Sequence, residues 1–176
     1  MRLPSVFTSL RPTRSLLPLL GAALLSLASG CRPFHPATPG TFAELPDTRP
    51  QYGYRAASAD GVVLGISAHD NTDPHVDLPF VEKAFEQQMK AEGYALLERR
   101  DVTTRQGLAG KQFRFGHDEQ SNPHLYYVTF FVTDKWVYRL EAGGGRDDML
   151  RYEAPIAWHV ANFQPRWVLI SSSATP

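Results

Sequence analysis

Cysteine is almost missing from this chain: 176 residues contain one, Cys31. No internal disulfide can form. Net charge is missing too, with 18 basic and 18 acidic side chains. The balance conceals an asymmetry, because residues 1–30 hold Arg2, Arg11 and Arg14 and no acid, leaving 15 basic against 18 acidic residues beyond them. That excludes the basic footprint of a nucleic-acid-binding protein. The N-terminal apolar run, 16–28, is shorter than the ~20 residues a permanent membrane span needs, and it contains Pro18. The chain also lacks a His-Glu-x-x-His helix, a Gly-x-Ser-x-Gly elbow and a Gly-x-x-x-x-Gly-Lys phosphate loop. No catalytic signature replaces them. Apolar content, 43%, is that of an ordinary globular protein.

What is present begins with a three-part N-terminus. Residues 1–15 are basic, 16–28 are apolar, and small Ser29 and Gly30 precede Cys31. Charged, apolar, then small at the cut is the layout of a secretory signal. The ending Leu27-Ala28-Ser29-Gly30-Cys31 resembles the lipobox of bacterial lipoproteins. That resemblance implies removal of residues 1–30 and a diacylglycerol, with a possible further acyl chain, on Cys31. Ala28 stands where that family most often has Leu. Two or three acyl chains anchor a protein stably, at ~0.8 kcal/mol per buried CH₂. The expected location is the cell envelope. Arg32 replaces the Asp that retains enteric lipoproteins in the inner membrane, which favours the outer membrane, on its periplasmic or surface face.

Residues 31–50 then read as the lipidated cysteine and a tether. Pro33, Pro36, Pro39, Pro46 and Pro50 interrupt them. An extended Pro-rich spacer at ~3.1 Å per residue reaches roughly 60 Å. Phe34, Phe42 and Leu45 are the residues that would dock on a domain instead.

Residues 51–170 read as one α+β domain, followed by a polar tail at 171–176. Strands are expected at 51–57 and 62–68, joined through Asp60-Gly61, a hairpin signal. Asp77 caps a helix in which Val81, Ala84, Phe85 and Met89 form one stripe, and Gly93 stops it. The strand at 95–103 carries Glu98, Arg99, Arg100 and Asp101, which suits a sheet edge. Strands at 111–116, 125–132 and 136–141 follow as a meander. Residues 125–132, Leu-Tyr-Tyr-Val-Thr-Phe-Phe-Val, are apolar on both faces, so this strand is expected to be central with cover on each side. Gly143-Gly144-Gly145 is expected to end the sheet. A last helix is expected over 147–163, with Pro155 as a kink. The role of the apolar stretch 167–170 is open: an added strand, or cover across the sheet.

The order β-β-α-β-β-β-β-α implies an antiparallel sheet flanked by two helices. Together with Val102-Thr103-Thr104-Arg105-Gln106-Gly107-Leu108-Ala109-Gly110-Lys111-Gln112-Phe113, it resembles the PsbP/DcrB-like superfamily of α/β/α sandwiches. Bacterial members are often lipoproteins. The resemblance implies a non-enzymatic role in assembly or partner binding, and it carries over no functional residue.

Two polar stretches collect the candidate chemistry. His69, Asp70, Asp73 and His75 lie in one, closed by the capping residue Asp77. The other holds His117, Asp118, Glu119 and His124. Imidazoles beside carboxylates are metal-ligand types, but an EF-hand frame from Asp70 puts His75 where the invariant Gly belongs. Turn formation explains the first stretch and a charged hairpin tip the second. We expect no metal and no cofactor. The favoured reading is a membrane-anchored, non-catalytic binding or assembly module, its partners being the bilayer through Cys31 and an envelope protein. The alternative is a metal-assisted hydrolase built from the two polar loops meeting at one end of the sheet.

Overall fold

A computed structural model describes residues 32–46, 49–119 and 122–166. The signal, Cys31, and the stretches 167–170 and 171–176 lie outside the described residues. In chain order the elements are β1 (Phe34–His35), β2 (Phe42–Glu44), β3 (Tyr54–Ser58), β4 (Val63–Asp70), α1 (Leu78–Ala91), β5 (Ala95–Thr103), β6 (Ala109–Glu119), β7 (Asn122–Val132), β8 (Trp136–Gly145), α2 (Arg146–Arg151), α3 (Glu153–Ala161) and β9 (Gln164–Pro165). Seven strands form one antiparallel sheet in the order β2-β3-β4-β8-β7-β6-β5, and β1 pairs with β9 separately.

The two-faced apolar strand is β7. Alternation sends Val128 and Phe130 to one side, against Phe85 and Met89 of α1. It sends Leu125, Tyr127 and Phe131 to the other, with Met149, Ile156 and Val160 of α2 and α3. Burying one such side chain contributes about 1.5–3 kcal/mol, so each face holds its own helical layer. β7 is an interior strand, and β8 is the middle one of the seven.

Local signals account for much of the rest. Asp77 Oδ1 accepts from the Phe80 amide at 2.9 Å, capping α1, and Gly93 takes a positive φ of 84° just past its end. β5 is an edge strand. Its charges are paired along the rim, Arg99 with Glu86 and Lys111 with Asp101, each at 2.6 Å. In the β5–β6 turn Gly107 has a φ of 86°. Gly110 lies so close to β7 that a Cβ there would meet the Phe130 carbonyl oxygen at 2.4 Å.

Three expectations are corrected. The Pro-rich stretch is not a free tether over its described part. Phe34 and Phe42 are core residues, β1 pairs with β9, and β2 adds a seventh strand beside β3. Apolar burial and strand pairing outweigh the extended bias of the prolines, which fall between the paired segments. The glycine run 143–145 does not break the sheet. It continues β8, with Gly143 opposite Tyr126 and Gly145 opposite His124, because flanking strands supply the pairing that glycine's own preference does not. Finally, the closing helix is two helices. α2 ends at Arg151 and α3 starts at Glu153. Pro155 has no N–H to donate to Arg151, and its ring crowds that carbonyl, so the break falls at Tyr152.

The sheet therefore has two distinct ends. One carries the β6–β7 turn. The other carries the β7–β8 turn and the end of β4, where Asp70 pairs with Trp136. Pro33 belongs to this second end, since the Tyr138 hydroxyl donates to its carbonyl at 3.2 Å.

Candidate functional site

The two polar stretches do not meet. Asn71 ties the first one to the β7–β8 turn: its amide donates to the Thr133 carbonyl at 2.9 Å and to the Val76 carbonyl at 3.0 Å, while its own side-chain oxygen accepts from the Val76 amide at 2.9 Å. His117 pairs with His124 at the far end of β7. Eleven strand residues separate the two ends, about 33 Å at ~3.3 Å per residue. A hydrolase site assembled from both loops is excluded by that distance. Geometry at the first loop is that of a turn: Asp70 accepts from the Thr72 amide at 2.9 Å and from its hydroxyl. These bonds hold the Asp70 carboxyl below its ordinary pKa. His69, Asp73 and His75 are exposed. Among the described residues no group of three or more His, Cys, Asp or Glu side chains is placed to hold a metal ion.

The second polar stretch lines a cleft of about 850 Å³. The helical layer on this face, α2 and α3, reaches Val102, Leu108 and Arg105 at one end of the β5–β6 margin, and the cleft lies toward the β6–β7 turn. The floor is Gly116, Leu125 and Tyr127, one wall is Ala95 and Leu97, and the other is Arg146 and Leu150. Leu97 projects because the β5–β6 register shifts between Leu96 and Glu98. It is 60% exposed and Leu150 is 50% exposed. Arg114 lies across the floor. Its guanidinium sits 4.3 Å from the Tyr127 ring centre and pairs with Glu153 at 2.6 Å and Glu98 at 3.5 Å. Of the expected residues, His117, Asp118 and His124 contribute to the rim. His117 stacks on Tyr94 with ring centres 4.7 Å apart, and His124 Nδ1 contacts the Asn122 carbonyl at 2.9 Å. Glu119 pairs its backbone with Asn122.

Two other polar groupings are internal. Glu141, on the α1 side of β8, is buried and accepts from the Tyr126 hydroxyl, with Arg139 Nε 3.3 Å from its other oxygen. Burial, then the Glu141 charge, pushes the Tyr126 and Tyr52 hydroxyls above their usual range. They remain protonated donors at neutral pH, and the Tyr126 hydroxyl ties β7 to β8 through Glu141. His159 of α3 is buried, stacks on Tyr54 with centres 5.7 Å apart, and has Nδ1 2.6 Å from the Ala37 carbonyl. Burial holds its pKa below the ordinary value, against the opposing effect of that hydrogen bond. A neutral histidine donating to Ala37 pins the N-terminal segment to the domain.

Four of the cleft's lining residues were not singled out by sequence as site candidates: Leu97, Arg114, Tyr127 and Leu150. Arg114 alternates with core Phe113 and Phe115 and reads as the solvent face of its strand. Leu97 belongs to a charged strand. Only the two exposed leucines, seen together across one stretch of sheet, disclose the cleft.

No protein-family model matches the chain, and no curated protein matches it in sequence. Solved structures do resemble it. LpqN of Mycobacterium tuberculosis, a protein involved in cell envelope biogenesis, aligns with a TM-score of 0.62 at 12% identity over 75% of this chain and 83% of its own. The cyanobacterial PsbP of Synechocystis sp. aligns with a TM-score of 0.51 at 9% identity, over 76% of this chain and 86% of its own. At such identities the likeness establishes the fold: the domain is a PsbP-like α+β sandwich.

Proposed function

We propose that the chain is an exported lipoprotein, anchored in a bacterial membrane through acylated Cys31, whose domain is a non-catalytic binding or assembly module of the cell envelope. The observation that carries this reading is the placement of the cleft relative to the chain's entry. Pro33 lies at the β7–β8 end, held by Tyr138. Cys31 precedes it by two residues, or about 7 Å of extended chain. An anchor there holds the domain at the bilayer surface, without the spacer expected from the prolines. The cleft opens at the opposite end, free to meet another envelope component. The envelope role of the structurally similar LpqN accords with this reading. Among the described residues no helix is long and apolar enough to cross a membrane. The anchor is assigned to the lipid on the order of the N-terminal signal and its single cysteine, and the outer membrane is its expected site because Arg32 replaces the retention signal.

Replacing Cys31 with Ser tests the anchor. The wild-type protein is expected in the membrane fraction with an N-terminal mass increased by acyl chains, and the variant in the soluble fraction. Retention of Cys31→Ser in the membrane, with no acyl mass on the wild-type N-terminus, overturns the reading.

A further inference from the structure

The cleft described above has a composition that specifies a class of ligand. Five large hydrophobic side chains are exposed among the described residues: Val63, Phe80, Leu97, Leu150 and Trp158. Two of them, Leu97 and Leu150, face the same cleft from opposite walls. Leu97 itself packs on the side-chain-free Gly116, where a Cβ would meet it at 3.3 Å, and the buried Leu125 and Tyr127, the latter under the Arg114 guanidinium, complete the floor. A volume near 850 Å³ lies within the range of roughly 300–1,000 Å³ found for small-ligand sites, which combine apolar walls with a few placed polar groups.

The charges sort into two kinds. Arg114 and Glu98 neutralise one another and Glu153 or Arg100 within the floor. Arg146 and Asp118 also line the cleft, and neither makes an ion pair or side-chain hydrogen bond among the described residues. They lie at the same, β6–β7 end of the sheet, two strands apart: Gly145, the residue before Arg146, pairs with His124, whose other partner His117 adjoins Asp118. The lining thus sums to zero charge while offering one free cation and one free carboxylate at one end of an apolar trough. A purely anionic or cationic head would satisfy one of them and oppose the other.

We infer that the cleft binds a single-chain zwitterionic amphiphile, its apolar chain between Leu97 and Leu150, its anionic group on Arg146 and its ammonium on Asp118. The inference names the ligand of the cleft that the proposed function assigns to partner contact, so it rests on that assignment, though not on lipidation of Cys31.

The test uses the mature chain carrying Cys31→Ser and lysophosphatidylethanolamine below its micelle concentration, with lysophosphatidylglycerol of equal chain length and free phosphoethanolamine as comparisons. Titration is expected to show saturable binding of one lysophosphatidylethanolamine per chain, weaker binding of the anionic lipid, and none of the chainless head. Arg146→Gln is expected to weaken both lipids about tenfold, the effect of one charge-assisted hydrogen bond. Asp118→Asn weakens the zwitterion and strengthens the anionic lipid. Leu97→Asn with Leu150→Asn weakens both. An unchanged unfolding midpoint in each variant separates lost binding from lost folding. Absence of saturable binding, equal affinity for both lipids in the wild type, or no response to Asp118→Asn overturns the inference. The fractionation of Cys31→Ser is unaffected by any of these results, so failure of the ligand and failure of the anchor are read separately.

Discussion

Phe130→Ala is the sharpest probe of the packing that positions the cleft. Phe130 is 5% exposed, inside a cluster with Phe85, Phe113 and Val128. Its ring meets Phe85 edge-to-face at 4.9 Å between centres, and Phe113 at 6.4 Å. Truncation removes the transfer energy of a buried ring and leaves a cavity between α1 and the sheet. The neighbouring rings are held by helix α1 and strand β6 and cannot collapse far into it, so the expected loss is about 3–5 kcal/mol. In urea, with a slope of ~2 kcal/mol per molar for a domain of this size, the midpoint falls by roughly 1.5–2.5 M at unchanged slope. The paired control is Phe80→Ala. Phe80 is the same residue type, on the helix that packs over Phe130, but 60% exposed. Its loss is expected to stay within about 0.5 kcal/mol. Chemical denaturation of the mature chain, followed by tryptophan fluorescence and circular dichroism together, measures both. A cost below about 1 kcal/mol for Phe130→Ala, or similar costs for the two variants, refutes the assignment of β7 as a two-sided core strand.

Two further outcomes follow from the same geometry. Gly110→Ala sets a methyl against the Phe130 carbonyl at 2.4 Å and the Phe131 ring at 2.5 Å; it is expected to cost at least about 1–3 kcal/mol, and a midpoint equal to wild type contradicts the close β6–β7 approach. For His159, burial lowers the folded-state pKa below the ordinary 6.5. The unfolded chain therefore takes up a proton first as pH falls. Stability is fully present above about 6.5 and declines below it, toward the folded-state pKa, by at most ~1.4 kcal/mol per pH unit. His159→Gln is expected to flatten that slope, and an identical pH profile in the variant removes His159 as its source.

Much of this architecture is legible from short-range chemistry. Alternation at 125–132 specifies a strand with two buried faces, because successive side chains must point apart and both sets are apolar. The charges of 95–103 mark an edge, and Asp77 and Gly93 bracket a helix, because each acts on backbone groups within a turn of itself. The single cysteine behind a charged, apolar and small run is the ground of the proposed lipid anchor, and it lies outside the described residues. Other features depend on partners far away in the chain. The prolines of 32–46 announce an extended segment but not its docking, which needs β9 and β3 to offer pairing, Phe163 and Tyr138 to receive Phe34, and Tyr152 to receive Phe42. Glycines 143–145 look like a stop, yet β7 pairs with all three and β4 with Gly143. Which polar loops share an end of the sheet is a consequence of strand direction, and it separates His75 from His117 by the length of β7. The cleft is the furthest from local view. Leu97, Arg114, Leu125 and Leu150 come from three strands and a helix, and only the tertiary fold brings them to one cleft.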